Sequence, residues 1–157
     1  MKKVTTALTT MTLALAACSA RTDSQVATTT EMGTTETGPA LLSWEVALLP
    51  NAGYDMAGEA SVRDLGENGT RVAVEVRDGE PGTTHPWHLH EGECDSGGGI
   101  VGAAAAYEAL VLNQDGEASG AANIELRLDP DVDYHVNVHK SPSETDTIIA
   151  CGELREN

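Results

Sequence analysis

Short β-prone segments separated by turn residues fill the chain from Trp44 onward. In segment 70–77, valines at every second position alternate with smaller or charged residues, the pattern of a half-buried strand. The Gly- and Asn-containing segment 66–69 before it suits a hairpin connection. The predicted strands are 44–49, 58–64, 70–77, 87–90, 107–112, 118–128, 133–139 and 147–154. About eight short strands with regular turns predict an all-β, antiparallel sandwich or barrel. Residues 91–106, rich in Gly and Ala, predict a loop or short helix without chemistry of its own.

All five histidines lie in or beside two of these strands, in segments 85–90 (HPWHLH) and 135–139 (HVNVH). Side chains two residues apart on a strand share a face and lie about 6.6 Å apart. His88 and His90 can therefore approach one metal ion. A third imidazole from a neighbouring strand would complete a site that copper or zinc accepts.

The remaining histidines have less direct roles. His85 falls on the core side at the start of its strand, where a histidine is usually a structural hydrogen-bonding group. His135 and His139 share a face but lie about 13 Å apart along an extended strand, so they can hardly both bind one ion directly. One of them belongs to the site, and the other is a supporting or surface residue.

The N-terminus predicts export. Residues 1–17 carry Lys2 and Lys3 before an apolar stretch that is too short for a spanning helix. The Leu-Ala-Ala-Cys sequence ending at Cys18 resembles the lipobox of bacterial lipoproteins, which implies cleavage before Cys18 and its lipidation. The alternative is an ordinary secretory signal with an incidental cysteine. Acyl chains would anchor the protein to a membrane, and we expect the periplasmic side of the cell envelope, at the outer membrane.

Residues 18–43 comprise this cysteine and a stretch rich in Ser, Thr, Glu and Gly, which predicts a flexible tether. Residues 44–157 are enough for one domain with one core. Cys94 and Cys151 form an even pair in an oxidising compartment, which favours a disulfide. The alternative for the pair is two thiolate metal ligands.

The charge is strongly acidic. Removing residues 1–17 lowers the number of Lys and Arg from nine to seven against 25 Asp and Glu, a formal charge of −18. Such a chain has no basic surface with which to neutralise phosphates, so nucleic-acid binding is excluded.

From about Gly58 to Leu154 the chain resembles the Cu/Zn superoxide dismutase family. Segment 85–91 is similar to that family's His-Gly-Phe-His-Val-His-Glu strand at identical spacing, and Ala-Cys-Gly at 150–152 is similar to its C-terminal motif. The Val-His pair ending at His139 resembles the pair that carries a further copper ligand. The resemblance implies a Greek-key β-barrel and a Cys94–Cys151 disulfide. It also implies three copper ligands and one structural histidine: His88, His90 and His139 as ligands, and His85 as the structural residue.

The departures from that family concern zinc and substrate guidance. No histidine lies between Cys94 and Tyr107, so the zinc site and its bridging ligand are missing. The loop that guides superoxide is cut to residues 140–150, and its arginine position holds Ile148. Lys140 and Arg155 are the nearby cations that could substitute.

These features predict a copper-only dismutase-like protein, with superoxide or copper ions as its partners. An exposed three-histidine site with short loops would equally suit copper binding or buffering without turnover. Segment 134–139 (YHVNVH) also resembles the Tyr-Val-Asn-Val-His motif of CHRD-type domains, which implies a structural module as a third possibility.

Overall fold

The computed structural model describes residues 42–94 and 96–154. The predicted signal peptide, Cys18, nearly all of the predicted tether and Arg155 lie outside the described residues. The fold is all-β. The strands are β1 (Ser43–Pro50), β2 (Ala57–Asp64), β3 (Thr70–Arg77), β4 (Thr84–His85), β5 (Trp87–Glu91), β6 (Leu110–Val111), β7 (Ala118–Ile124), β8 (Tyr134–Ser141) and β9 (Glu144–Leu154). No helix within residues 42–94 and 96–154 is long and apolar enough to cross a membrane.

Seven of these strands form one curled antiparallel sheet in the order β5-β8-β9-β1-β2-β3-β7. The chain crosses from β3 to β5 at one edge, returns to β7 at the other, and crosses again to β8 beside β5. These crossings are of the Greek-key type, and the curled sheet makes a half-barrel. The predicted β-barrel or sandwich class is therefore confirmed.

Period-two burial holds where the sequence predicts it. The three valines of β3 are buried while Arg71, Glu75 and Arg77 are exposed. On β5, Trp87 and Leu89 enter the core and pack with Val136 and Val138 of β8. A Cβ at Gly120 of β7 would lie only 3.2 Å from the Trp87 indole nitrogen, so this glycine lets the indole fill the space between β5 and β7.

Proline divides the histidine segment into two strands, which the sequence pattern did not predict. Pro86 has no N–H to donate, so ladder pairing stops there. Before it, β4 pairs with β6 in a separate two-stranded sheet, and after it β5 pairs with β8. The carbonyl of Pro86 still accepts a hydrogen bond of 2.8 Å from the N–H of His139. This contact fixes the position of His139 relative to the start of β5.

Two predicted strands are shorter than expected. The segment 107–112 contributes only the two residues of β6, and the segment 118–128 leaves the sheet after Ile124. Beyond that point the Leu126 carbonyl accepts a hydrogen bond from the Thr70 hydroxyl, and Arg127 pairs with buried Asp64 at 2.6 Å. The hydrogen bonds from Arg127 hold the pKa of Asp64 below its usual value. These contacts draw the chain away from the ladder.

Candidate metal centre

The pairing of β5 with β8 gathers the histidines on one face of the sheet. In this antiparallel register His88 lies opposite Asn137, and His90 lies opposite His135. Side chains at alternate positions of both strands point away from the core. His139 therefore joins His88 and His90 on the same face.

Three imidazoles converge there. Ligand nitrogens of His88, His90 and His139 all lie within 4.8 Å of one another. The Nδ1 atom of His88 is 3.0 Å from the Nε2 atom of His139. Ring centroids are 5.0 Å apart for that pair, and each lies 5.7 Å from the His90 ring. This is the trio that the sequence predicts.

Backbone carbonyls orient two of the rings. The Nδ1 atom of His90 donates to the Gly98 carbonyl at 2.8 Å, and that of His139 donates to the Thr145 carbonyl at 2.5 Å. Because a carbonyl only accepts, both Nδ1 atoms carry hydrogen and both Nε2 atoms carry lone pairs. The proton between His88 and His139 therefore belongs to Nδ1 of His88 in the metal-free protein.

The donor set fits a metal ion. The Nε2 atom of His90 is buried and has no hydrogen-bond partner in the part of the chain that the structure describes. A buried acceptor without a partner costs free energy, which a cation at this position would recover. A ligand histidine whose other nitrogen donates to a carbonyl is the usual arrangement at protein metal sites.

The site is buried rather than exposed, which corrects the sequence-based expectation. The side chains of His88, His90 and His139 are 9%, 8% and 4% exposed. Residues 98–101 run beside β5, where the amide of Glu91 donates to Gly99 and that of Val101 donates to Leu89. The Tyr107 ring lies 5.3 Å from that of His88. Residues 98–101 and Tyr107 together exclude water from most of the surface of the three imidazoles.

Burial keeps the imidazoles of His88 and His139 neutral. It lowers the pKa of His88 to about 4, and the neighbouring rings of His139 and His90 add to the effect. It also lowers the pKa of His139, against the opposing hydrogen bond to Thr145. Burial raises the pKa of Tyr107 to about 12, so its hydroxyl stays protonated and donates to the Val101 carbonyl. His88 and His139 are thus uncharged at neutral pH, the form in which an imidazole binds a metal.

The lowered pKa of His88 makes the stability of the metal-free protein depend on pH. An unfolded chain protonates this histidine near pH 6.5, whereas the folded chain does so near pH 4. The unfolded state therefore binds more protons between these values, and the free energy of unfolding falls as the pH is lowered through that window. Urea unfolding of the metal-free chain at several pH values measures this slope. We expect a shallower slope in the His88→Phe variant, and equal slopes would contradict the assignment.

His85 and His135 lie outside the trio. His85 is buried and contacts the Thr83 hydroxyl at 2.7 Å and the His139 carbonyl at 3.0 Å, so it braces β8 behind the site. His135 is fully buried and stacks on His90, with centroids 5.3 Å apart and planes 17° apart. Its Nδ1 atom donates to the Gly92 carbonyl at 2.7 Å. His135 is therefore a supporting residue and not a surface residue.

The disulfide between Cys94 and Cys151 is present, with 6.0 Å between the Cα atoms. This confirms the predicted disulfide and excludes the pair as thiolate ligands. The bond ties the segment after β5 to β9, where Cys151 lies beside Asn137 of β8. The loop that covers the histidines is thereby fixed to the sheet.

The predicted loop 140–150 is almost entirely strand. Residues Ser141 and Glu144 pair directly, so only Pro142 and Ser143 lie between β8 and β9. The register places Ile148 opposite His139. Lys140 contacts Glu144 at 2.8 Å. This tight hairpin also brings the Thr145 carbonyl to His139, a contact that residue patterns alone did not reveal.

Gly98 is the second residue that sequence reasoning missed. A Cβ at this position would collide with the Glu91 carbonyl oxygen, whereas a Cβ at Gly99 would meet nothing within 4 Å. The close approach lets the Gly98 carbonyl reach His90. The glycine run was the available signal, since a backbone approach of this kind requires the absence of a side chain.

We expect Gly98→Ala to push its segment away from β5 and to remove the acceptor for His90. The affinity for a bound metal should fall about 10- to 100-fold, as is typical when a contact to a ligand histidine is lost. Gly99→Ala is the matched control and should bind metal as the unsubstituted chain does. Chelator competition measures both variants. Equal affinities for the two variants would show that the Gly98 contact does not orient His90.

Comparison with protein-family models finds no matching family, and comparison with curated protein sequences finds no matching relative. The geometry of the histidines and the motifs that carry them are therefore the features that bear on function.

Proposed function

We propose that this chain is a cell-envelope lipoprotein with a superoxide dismutase-like copper centre formed by His88, His90 and His139. The observation that carries the proposal is the convergence of their ligand nitrogens within 4.8 Å. The intact Cys94–Cys151 bond and the spacing of segment 85–91 support the resemblance to that family.

Copper suits the donor set. Neutral imidazoles suit copper and zinc, and a nitrogen-rich site binds Cu(II) more tightly than other divalent first-row metals. Bound there, copper would supply one-electron chemistry that converts two superoxide ions and two protons into O₂ and H₂O₂. Zinc supplies no redox chemistry.

The residues of the chain prepare the centre in three ways. The Gly98 and Thr145 carbonyls hold the Nδ1 protons of His90 and His139, so each Nε2 lone pair faces the cluster. His88 must release its Nδ1 proton to become a donor through that atom, and its lowered pKa already disfavours a second proton on the ring. Residues 98–101 and Tyr107 cover the rings and limit the access of water, which would compete with the metal for the imidazole nitrogens.

The surrounding charges favour slow turnover. The formal charge of the chain is −16, and superoxide is an anion. Every Lys and Arg in the described ranges contacts a polar partner: Arg63 with Glu45, Arg71 with Asn123, Arg77 with Asp78, Arg127 with Asp64 and Lys140 with Glu144. The apolar Ile148 occupies the position opposite His139. These observations support a second candidate function, copper binding without turnover.

A dismutation assay on the copper-loaded chain separates the two functions. The enzyme proposal expects superoxide decay above that of free copper under the same conditions and loss of that activity in His88→Ala. Because the net charge repels superoxide, the rate constant should rise as added salt screens the repulsion. One tightly bound copper with no superoxide decay above that of the copper-free protein would support copper binding without turnover.

A further inference from the structure

Asn137 lies at the centre of the histidine face. On β8 it is two residues from His135 and two from His139, and across the ladder it is opposite His88 of β5. Its side chain is only 4% exposed.

Hydrogen bonds fix the orientation of the Asn137 amide. The Nδ1 atom of His135 donates to the Gly92 carbonyl, so the Nε2 atom of neutral His135 must accept. The Nδ2 group of Asn137 is 3.1 Å from that acceptor and donates to it. The amide oxygen Oδ1 therefore faces away from His135 as an acceptor.

That oxygen has no hydrogen-bond partner within residues 42–94 and 96–154. Among the described residues, the buried side-chain polar atoms without a hydrogen bond are Oδ1 of Asn137 and Nε2 of His90. Both are lone-pair donors, and they belong to adjacent strands on the same face. Two lone pairs cannot satisfy each other, but a cation between them satisfies both. The pair of unpartnered atoms therefore points to one ion as their shared partner.

We propose that Oδ1 of Asn137 is a fourth donor to the metal centre, beside the nitrogens of His88, His90 and His139. This inference rests on the proposed copper site. An amide oxygen is a harder donor than an imidazole, whereas Cu(I) is a soft ion. The oxygen therefore stabilises bound Cu(II) more than bound Cu(I).

The test measures both copper affinities of the full chain by competition with chelators specific for each oxidation state. Asn137→Val removes the oxygen and should lower the Cu(II) affinity about tenfold or more while the Cu(I) affinity changes less than about threefold. Asn137→Asp keeps the shape and gives the metal a charged oxygen, while the hydrogen bond from Nδ2 to His135 is lost as it is in Asn137→Val. Its Cu(II) affinity should rise, again with little change for Cu(I), and the Cu(II) EPR spectrum should shift in both variants.

A matched control separates ligation from packing. His135→Phe keeps an aromatic ring against His90 and removes the same Asn137–His135 hydrogen bond that Asn137→Val removes, but it retains Oδ1 of Asn137, so it should shift the two affinities by the same factor. Equal shifts for Cu(II) and Cu(I) in Asn137→Val and in Asn137→Asp, or no shifts, would overturn the assignment of Asn137. Absence of copper binding by the unsubstituted chain would overturn the proposed function and this inference together. Thermal unfolding with the disulfide intact checks that each variant is folded.

Discussion

Replacing His90 with alanine is expected to lower the copper affinity by more than about 100-fold, beyond the losses typical of supporting contacts. His90 contacts both other rings of the trio, and its Nε2 atom is one of two buried side-chain polar atoms without a hydrogen-bond partner in the described part of the chain. Alanine removes a ligand and leaves a gap between Gly98 and the two remaining imidazoles. Equilibrium competition with a Cu(II) chelator measures the loss.

The control for His90→Ala is His85→Gln. His85 lies behind the site, where it contacts the His139 carbonyl but is outside the trio. Glutamine keeps a hydrogen-bonding side chain at that position, so the copper affinity should fall less than about tenfold, below the usual loss at a supporting contact. Similar losses in the two variants would mean that copper binds elsewhere on this acidic chain.

Removing the disulfide is expected to have the largest effect on stability. Cys94 and Cys151 are 57 residues apart, and a bond closing such a loop stabilises the folded state by roughly 4 kcal/mol in the chain-entropy model. For a domain of this size, the double variant Cys94→Ala/Cys151→Ala should unfold about 15 °C lower than the unsubstituted chain. Thermal unfolding followed by circular dichroism measures the shift.

Loss of this bond should also weaken the metal centre. The segment that the bond holds to β9 supplies the Gly92 carbonyl to His135 and the Gly98 carbonyl to His90. Cys18→Ala is the matched control, because it removes the third cysteine and leaves the bonded pair. A double variant that unfolds within about 5 °C of this control would contradict the loop-entropy argument.

Local periodicity predicted much of the sheet. The valine alternation predicted β3 with its bounds, and the His-x-His spacing predicted that His88 and His90, the first two proposed ligands, share one face of β5. Both patterns arise from the alternation of side chains along a single strand, so a short stretch of sequence is enough to reveal them. The third proposed ligand, His139, came from the family resemblance, since strand geometry alone left His135 and His139 as alternatives.

Contacts between distant segments were not predictable in this way. The split at Pro86 depends on which strand each half pairs with, and the end of β7 depends on Asp64 and Thr70, more than fifty residues earlier. The carbonyls of Gly98 and Thr145 bury and orient the histidines, although no side chain identifies them in the sequence. The short loops of the sequence predict an exposed site, whereas the contacts of residues 98–101 with β5 cover it.

Cu(II) titration of the purified chain, followed by EPR on the same samples, tests the proposed copper centre directly. One tightly bound copper per chain is expected, with nitrogen couplings from three imidazoles. That signal should disappear in His88→Ala at the same copper concentration. Weak binding of several ions with oxygen-dominated spectra, unchanged in the variant, would contradict a copper centre at these histidines.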